Sequence, residues 1–320
     1  MIKKTTLLLL LSISFFSLKA QEDTTKAWSF SGENKITLGS VALSNWAAGG
    51  ANAMSGLISI DYKYNYKKDK TTWDNRLILM YGLNKQANQD FEKTEDRIDF
   101  TSAYGYQIDG SKWFYSFLMN FKTQFAEGYE DFSYQTEALN DNGDPFLDPS
   151  GNPYMVGATD TRLGSKFMAP GYLTLAPGAE FKSSENFKVN ISPLAAKATF
   201  VLDDALSARG AYGVDAGSNS RWELGANIDG YWKQTFTDNF YMENNLRLFS
   251  NYLESFGNVD VDWVFKLNLV VSKYVTAEFV LNTLYDDDIK IDRMEDGVSK
   301  SGPVVQLKST LGVGLVYVID

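Results

Sequence analysis

The sequence predicts an all-β protein: a transmembrane, antiparallel, up-and-down β-barrel of about twelve strands, with ten or fourteen as the neighbouring even counts. Three observations predict it. From Trp28 to the end, apolar and polar residues alternate in segments near the ~9–11 residues that cross a bilayer at a tilt. The connectors between them switch from tight to long, matching short turns at one membrane face and longer loops at the other. Aromatic residues make up 14% of the chain, with 18 Tyr, 21 Phe and 7 Trp, a stock that suits girdles at two membrane interfaces. A soluble sandwich gives the same alternation with its apolar face turned inward. The connector rhythm and the outward tyrosines favour the barrel.

Residues 1–20 read as an export signal. Lys3 and Lys4 form a basic start, Leu7 to Phe16 an apolar stretch, and Ala20 a small residue before Gln21. That stretch falls short of the ~20 residues a membrane helix needs. Residues 21–320 are then one barrel domain. Loss of Lys3, Lys4 and Lys19 moves the formal charge from −10 to −13, which argues against nucleic acid as a partner. With 0 Cys, neither a lipoprotein anchor nor a disulfide framework is available.

The strands follow from period two. In the second, Met54, Ile58, Ile60, Tyr62, Tyr64 and Tyr66 share one face, with Ser55, Ser59, Asp61 and Lys63 on the other. The third sets Trp73, Leu77, Leu79 and Tyr81 against Asp74 and Arg76. In the fifth, Trp113, Tyr115, Phe117, Met119 and Phe121 alternate with Ser116, Asn120 and Lys122, while Phe114 and Leu118 interrupt the polar face. Those two are candidates for a lateral apolar path, or for packing against a plug. In the tenth, Val261, Trp263, Phe265 and Leu267 oppose Asp260, Asp262 and Lys266. The last carries Leu311, Val313, Leu315 and Tyr317 against Thr310, Gly312 and Gly314. Its Gly312, Leu315 and Tyr317 resemble the C-terminal signal that barrel-assembly machinery reads as an added edge strand.

Tight turns are expected at 67–70, 109–111, 183–186, 237–239 and 272–273, and long connectors around 85–94, 127–163, 201–219, 254–258 and 286–302. The 127–163 stretch, dense in Gly, Pro, Asn and Asp, is expected to be an extracellular loop that continues no ladder. Residues 40–52 differ from the other loops: Trp46 stands among Ala47, Ala48, Gly49, Gly50 and Ala51. A large aromatic beside small residues suits a segment folded against the barrel mouth as a plug.

The run Ser44-Asn45-Trp46-Ala47-Ala48-Gly49-Gly50 resembles the signature of domain-of-unknown-function family 3078, outer-membrane β-barrel proteins of Bacteroidota type. Trp73-Asp74-Asn75, Tyr81-Gly82-Leu83 and Phe121-Lys122-Thr123-Gln124-Phe125 with Gly128-Tyr129 resemble it too. So do Phe167-Met168-Ala169-Pro170, Ile191-Ser192-Pro193-Leu194, Gly210-Ala211-Tyr212-Gly213 and Tyr285-Asp286-Asp287-Asp288. The resemblance implies an outer-membrane barrel. It carries no assigned activity, so no catalytic or ligand residue comes with it.

Function is constrained mainly by what is missing. With 0 His and 0 Cys, triad hydrolysis and the commonest zinc and copper sites are unavailable. A carboxylate-only enzyme ranks third among the readings, because no acid–base pair stands out. No cofactor is implied. Acidic groups at Asp203-Asp204, at Asp260 with Asp262, and at Asp286-Asp287-Asp288 offer oxygens of the kind calcium takes, ~6–8 at a time. No complete ligand set is visible, and solvated or turn-capping aspartates are the plainer reading.

The expected lumen face mixes signs, among them Glu33, Lys35, Asp61, Lys63, Arg76, Arg97, Asp99, Lys122, Lys166, Glu223 and Arg247. A selective pore usually concentrates one sign at its constriction. Mixed charges suit a paired network that partly fills a barrel of medium bore. The leading expectation is an outer-membrane barrel forming a narrow pore or a small-solute transport path, with Ser44, Asn45, Trp46, Gly49 and Gly50 as its mouth. The alternative is a closed scaffold within an envelope assembly.

Overall fold

The computed structural model describes residues 27–42, 52–87, 89–140, 144–254, 256–295 and 298–319. The first strands are β1 (Trp28–Val41), β2 (Ala53–Lys68), β3 (Thr71–Gln86), β4 (Glu92–Gln107) and β5 (Trp113–Thr123). After them come β6 (Gly128–Glu137), β7 (Met155–Ser165), β8 (Gly171–Ser184), β9 (Phe187–Phe200) and the short helix α1 (Asp204–Ala208). The rest are β10 (Ser220–Thr237), β11 (Phe240–Asn251), β12 (Asp260–Ser272) and β13 (Val275–Tyr285), then β14 (Ile291–Glu295), β15 (Val298–Gly302) and β16 (Gln306–Ile319). Among the described residues no helix is long and apolar enough to cross a membrane.

Twelve of these strands close into one antiparallel barrel, in the order β1-β16-β13-β12-β11-β10-β9-β8-β5-β4-β3-β2. The number is the one the alternation predicts. Closure is made by β1 against β16, from Gly32 opposite Ile319 to Thr37 opposite Gly314, so the barrel sheet has no free edge. All five expected tight turns lie at one end of the barrel, together with the outer ends of β1 and β16.

One expectation needs correction. The 127–163 stretch stays outside the barrel sheet but holds a ladder of its own: β6 pairs with β7 from Gly128 opposite Ser165 to Glu137 opposite Met155. Its Pro residues, Pro145, Pro149 and Pro153, are confined to the tip, where Leu139 bridges Pro145 and Leu147 bridges Pro153. Breakers placed together close a hairpin and leave its arms free to pair. The 286–302 connector likewise holds the β14–β15 hairpin.

Alternation sorts the side chains as predicted. On β5, Phe114, Ser116, Leu118 and Asn120 are buried inward, while Trp113, Tyr115 and Phe117 are exposed outward. The outward aromatics gather in two bands. At the tight-turn end Trp28 stacks on Tyr64 at 4.5 Å, Trp113 meets Phe181 at 5.2 Å and Phe236 meets Phe240 at 5.2 Å. At the long-connector end Phe200 meets Trp222 at 6.1 Å and Tyr81 meets Phe125 at 6.0 Å. On β10, Trp222 and Trp232 stand ten residues apart. At ~3.3 Å per residue and a tilt near 40° this is about 25 Å, the height of a barrel's apolar band.

The wall is thickened on one side. The β8–β9 register jumps from Leu175 opposite Ala196 to Ala179 opposite Ile191, and Pro177 and Pro193, which lack an N–H to give the ladder, lie within the jump. A bulge on β10 between Gly225 and Asn227 lies alongside. Phe249 lies over Gly225, where a Cβ would stand 2.9 Å from its Cζ. Leu118, Ala176, Ala195 and Phe249 form a small apolar cluster against this wall. At the long-connector end, Ala169, Val201, Leu206 and Val214 make a second one beneath α1.

Candidate functional site: the charged lumen

The inward face of the barrel encloses a cavity of about 450 Å³, bordered by cations and carboxylates in equal number. Its lining reaches from Glu185 and Asn186, in the tight turn between β8 and β9, past mid-barrel. Of the lumen residues expected from sequence, Lys35, Lys63, Arg76, Arg97, Asp99, Lys122 and Arg247 border it. Glu223 does not. It sits nearer the long-connector end, where Arg221 reaches it at 2.8 Å.

Most of these charges are answered by neighbours or by residues across the lumen. Arg76 donates through Nε and Nη2 to both oxygens of Asp61, at 2.8 and 2.5 Å, a two-pronged pairing that fixes the guanidinium plane. Arg247 donates to Asp229 from Nε at 2.9 Å and from Nη1 to Asn120 Oδ1 at 2.9 Å. Asn120 in turn donates to Asp99 at 2.7 Å. Because Arg247 belongs to β11 and Asn120 to β5, that chain of bonds spans the lumen. Lys122 on β5 ion-pairs with Asp262 on β12, and Arg97 on β4 reaches Asn282 on β13 at 3.5 Å. These three crossings narrow the middle of the barrel.

Nearer the tight turns, Lys182 and Lys188 both hold Asp74 at 3.1 Å, and Lys35 lies 3.0 Å from Glu33 and from Glu278. The sequence reading missed Lys182, Asp229 and Glu278 as partners. Their inward position was visible in the alternation of β8, β10 and β13. Their mates were not, because those lie on strands distant in sequence.

At the long-connector end a separate cluster forms. Lys197 lies 2.6 Å from Asp260, 3.3 Å from Asp286 and 3.7 Å from Glu223. Arg221 lies 2.8 Å from Asp288, and Asn258 donates to Asp287 at 2.6 Å. Asp260, Asp286 and Asp287 bring carboxylate oxygens within 4.8 Å of one another. The Lys197 ammonium stands beside two of them and supplies the positive charge that calcium would bring. Asp262 is not part of any loop cluster: it sits in the lumen facing Lys122.

One further placement corrects the sequence reading. Lys166 is no lumen residue. It follows the β6–β7 hairpin beyond the barrel wall and pairs with Asp203 at 3.4 Å and Glu127 at 3.7 Å. Phe114 and Leu118 pack on the inner wall, with Phe114 under Lys182 at 5.2 Å and Leu118 in the apolar cluster. Asp203 caps α1, accepting from the Ala205 and Leu206 N–H groups at 3.0 and 3.1 Å. These bonds, that from Leu206 foremost, hold its carboxyl below the ordinary aspartate range. The expected mouth residues Ser44, Asn45, Trp46, Gly49 and Gly50 lie outside the described residues.

Residues 38–129 match a family model described as a protein of unknown function (DUF3078), in agreement with the resemblance carried by the motifs from Ser44 to Tyr129. Among solved structures, the chain is similar to an outer membrane channel from Pseudomonas putida F1, at 11% identity over 92% of this chain and 95% of that one, with a TM-score of 0.37. It is also similar to the NanC porin, at 11% identity over 90% and 99% and a TM-score of 0.33. A third is the P. putida toluene transporter TodX, at 9% identity over 91% and 89% and a TM-score of 0.29. No curated protein matches the chain.

Proposed function

We propose that this chain is an outer-membrane barrel that admits a small solute to its charged lumen and passes it by a narrow path. The observation that carries the reading is the cavity of about 450 Å³, bordered by ionised side chains from the tight-turn end to the mid-barrel crossings. A polar cavity of that size suits a small solute. The location rests on the closed sheet, the two aromatic bands and the basic-then-apolar start of the chain. Outer-membrane lipid then covers the outward apolar band. Leu315 and Tyr317, both exposed on the outer face of β16, together with Gly312, present the C-terminal strand to barrel-assembly machinery.

A second reading, the closed scaffold, is favoured by the Lys122–Asp262 and Arg247–Asn120 crossings. The two separate in a planar lipid bilayer. Reproducible conductance steps from purified, folded protein are expected for the transport barrel. Silence from folded protein would move the assignment to the scaffold.

A further inference from the structure

One belt of the lumen has more positive charge than its carboxylates answer. On β10, β11 and β12, Lys233, Glu243 and Lys266 stand side by side, since Glu243 is opposite Lys233 in one ladder and opposite Lys266 in the next. On the far wall Lys63 of β2 is opposite Arg76 of β3. Both walls line one cavity, Lys63 and Arg76 from one side and Lys233, Glu243 and Lys266 from the other. These walls therefore hold four cations against two carboxylates; beside them Glu33, opposite Asp61 in the β1–β2 ladder, and Glu278 share Lys35.

Both carboxylates are already engaged. Asp61 is held at both oxygens by Arg76. Glu243 accepts from the Tyr231 hydroxyl at 3.0 Å and lies 3.9 Å from Lys233, whose ammonium also sits 4.1 Å from the Tyr241 ring centre. Lys63 and Lys266 remain. Both are half-buried and border the cavity. Among the described cations bordering it, these two have no carboxylate within the 4.0 Å of an ion pair. Four residues along β12 separate Lys266 from Asp262, roughly 13 Å along the strand at ~3.3 Å per residue. The belt thus lies on the tight-turn side of the mid-barrel crossing.

Two unpaired ammonium groups on opposite walls of a confined polar cavity would repel each other. An anion between them relieves that repulsion and supplies the missing acceptors. We infer that this belt is a binding site for a small solute carrying an oxyanion, a carboxylate or a phosphate, held between Lys63 and Lys266 with Arg76 and Lys233 beside them. The inference rests on the solute-admitting reading above and names the class of solute. Its plain competitor is a lysine pair kept apart by lumen water alone.

The test uses the full chain folded in detergent, with succinate, inorganic phosphate and neutral maltose titrated calorimetrically at low ionic strength. Succinate or phosphate is expected to bind and maltose not to, and the better of the two identifies the oxyanion. The variant K63M/K266M should bind it at least tenfold more weakly, while K273M, in an outer turn, should match the parent. The single variants K63M and K266M, each expected to lose part of the affinity, serve if the double variant fails to fold. No anion binding by the parent, or equal binding by folded lysine variants, overturns the site. Conductance keeps the two readings apart. A silent barrel that binds anions through these lysines retains the site and loses the transport function. A conducting barrel whose reversal potential ignores both lysines and which binds no anion retains transport and loses the site.

Discussion

Lys122 of β5 and Asp262 of β12 are ion-paired across the lumen, although β8, β9, β10 and β11 separate them around the wall. A bond between nearly opposite walls divides the bore, so it stands where a solute has to pass. Removing one partner should open the path and leave a charge unanswered. K122M or D262N is expected to raise single-channel conductance at least twofold. The charge-reversed pair, Lys122→Glu with Asp262→Lys, should bring it back toward the parent. Conductance unchanged in all three folded variants would falsify a route through this crossing.

The 44–50 segment is expected from its sequence to bear on the same path. If Trp46 and Gly49-Gly50 plug the mouth, a chain lacking residues 44–50 should fold and carry a larger ion flux than the parent. The comparison needs equal amounts of folded barrel in the bilayer. Equal flux would mean that the segment plays no gating part.

Gly225 is required by the wall itself. A Cβ there would stand 2.0 Å from the Ser250 carbonyl oxygen, a backbone atom that cannot swing away. Gly230, also on β10, has only the Leu246 oxygen near, at 3.8 Å. G225A is therefore expected to cost about 1–3 kcal/mol or more through overpacking, and G230A far less. Folding yield into lipid vesicles, read by the mobility difference between boiled and unboiled protein, should separate the two. Similar yields would show that the β10 bulge adapts.

The α1 cap carries a pH dependence. Backbone N–H groups of Leu206 and Ala205, with Lys166 nearby, hold the Asp203 carboxyl below its ordinary value of 3.8. A carboxyl lowered in the folded state stabilises most above that ordinary value, and its contribution fades as pH falls through the folded-state value. Proteolysis within 201–219 should thus be faster at pH 3 than at pH 7, using an acid-tolerant and a neutral protease each calibrated on an unfolded peptide. D203A should raise the pH 7 rate and shrink the difference, with a local cost of about 1 kcal/mol. A difference that survives D203A would assign the effect to other carboxylates.

How much of this was legible in the sequence varies by element. Asp74 and Arg76 could be set inward from their places between Trp73, Leu77 and Tyr81, because alternation is a property of a single strand. The 127–163 stretch could not be resolved, since the same breakers that rule out a ladder at 140–153 also make the tip of the β6–β7 hairpin. Lys166 was misplaced for a related reason: the β6–β7 hairpin, not legible in the sequence, sets it beside Asp203 and Glu127 and away from the lumen.

The sequence by itself determined the fold class, a count of about twelve barrel strands, the inward or outward side of the alternating residues in those strands and the absence of imidazole and thiol side chains. Those follow from local pattern and composition. Only the tertiary structure decided which charges meet. Lys122 and Asp262 lie 140 residues apart, and their pairing depends on how a closed sheet of twelve tilted strands brings opposite walls into register. The same closure brings Lys63 and Lys266 to one cavity with no carboxylate within ion-pair distance of either, a juxtaposition that no stretch of chain encodes alone.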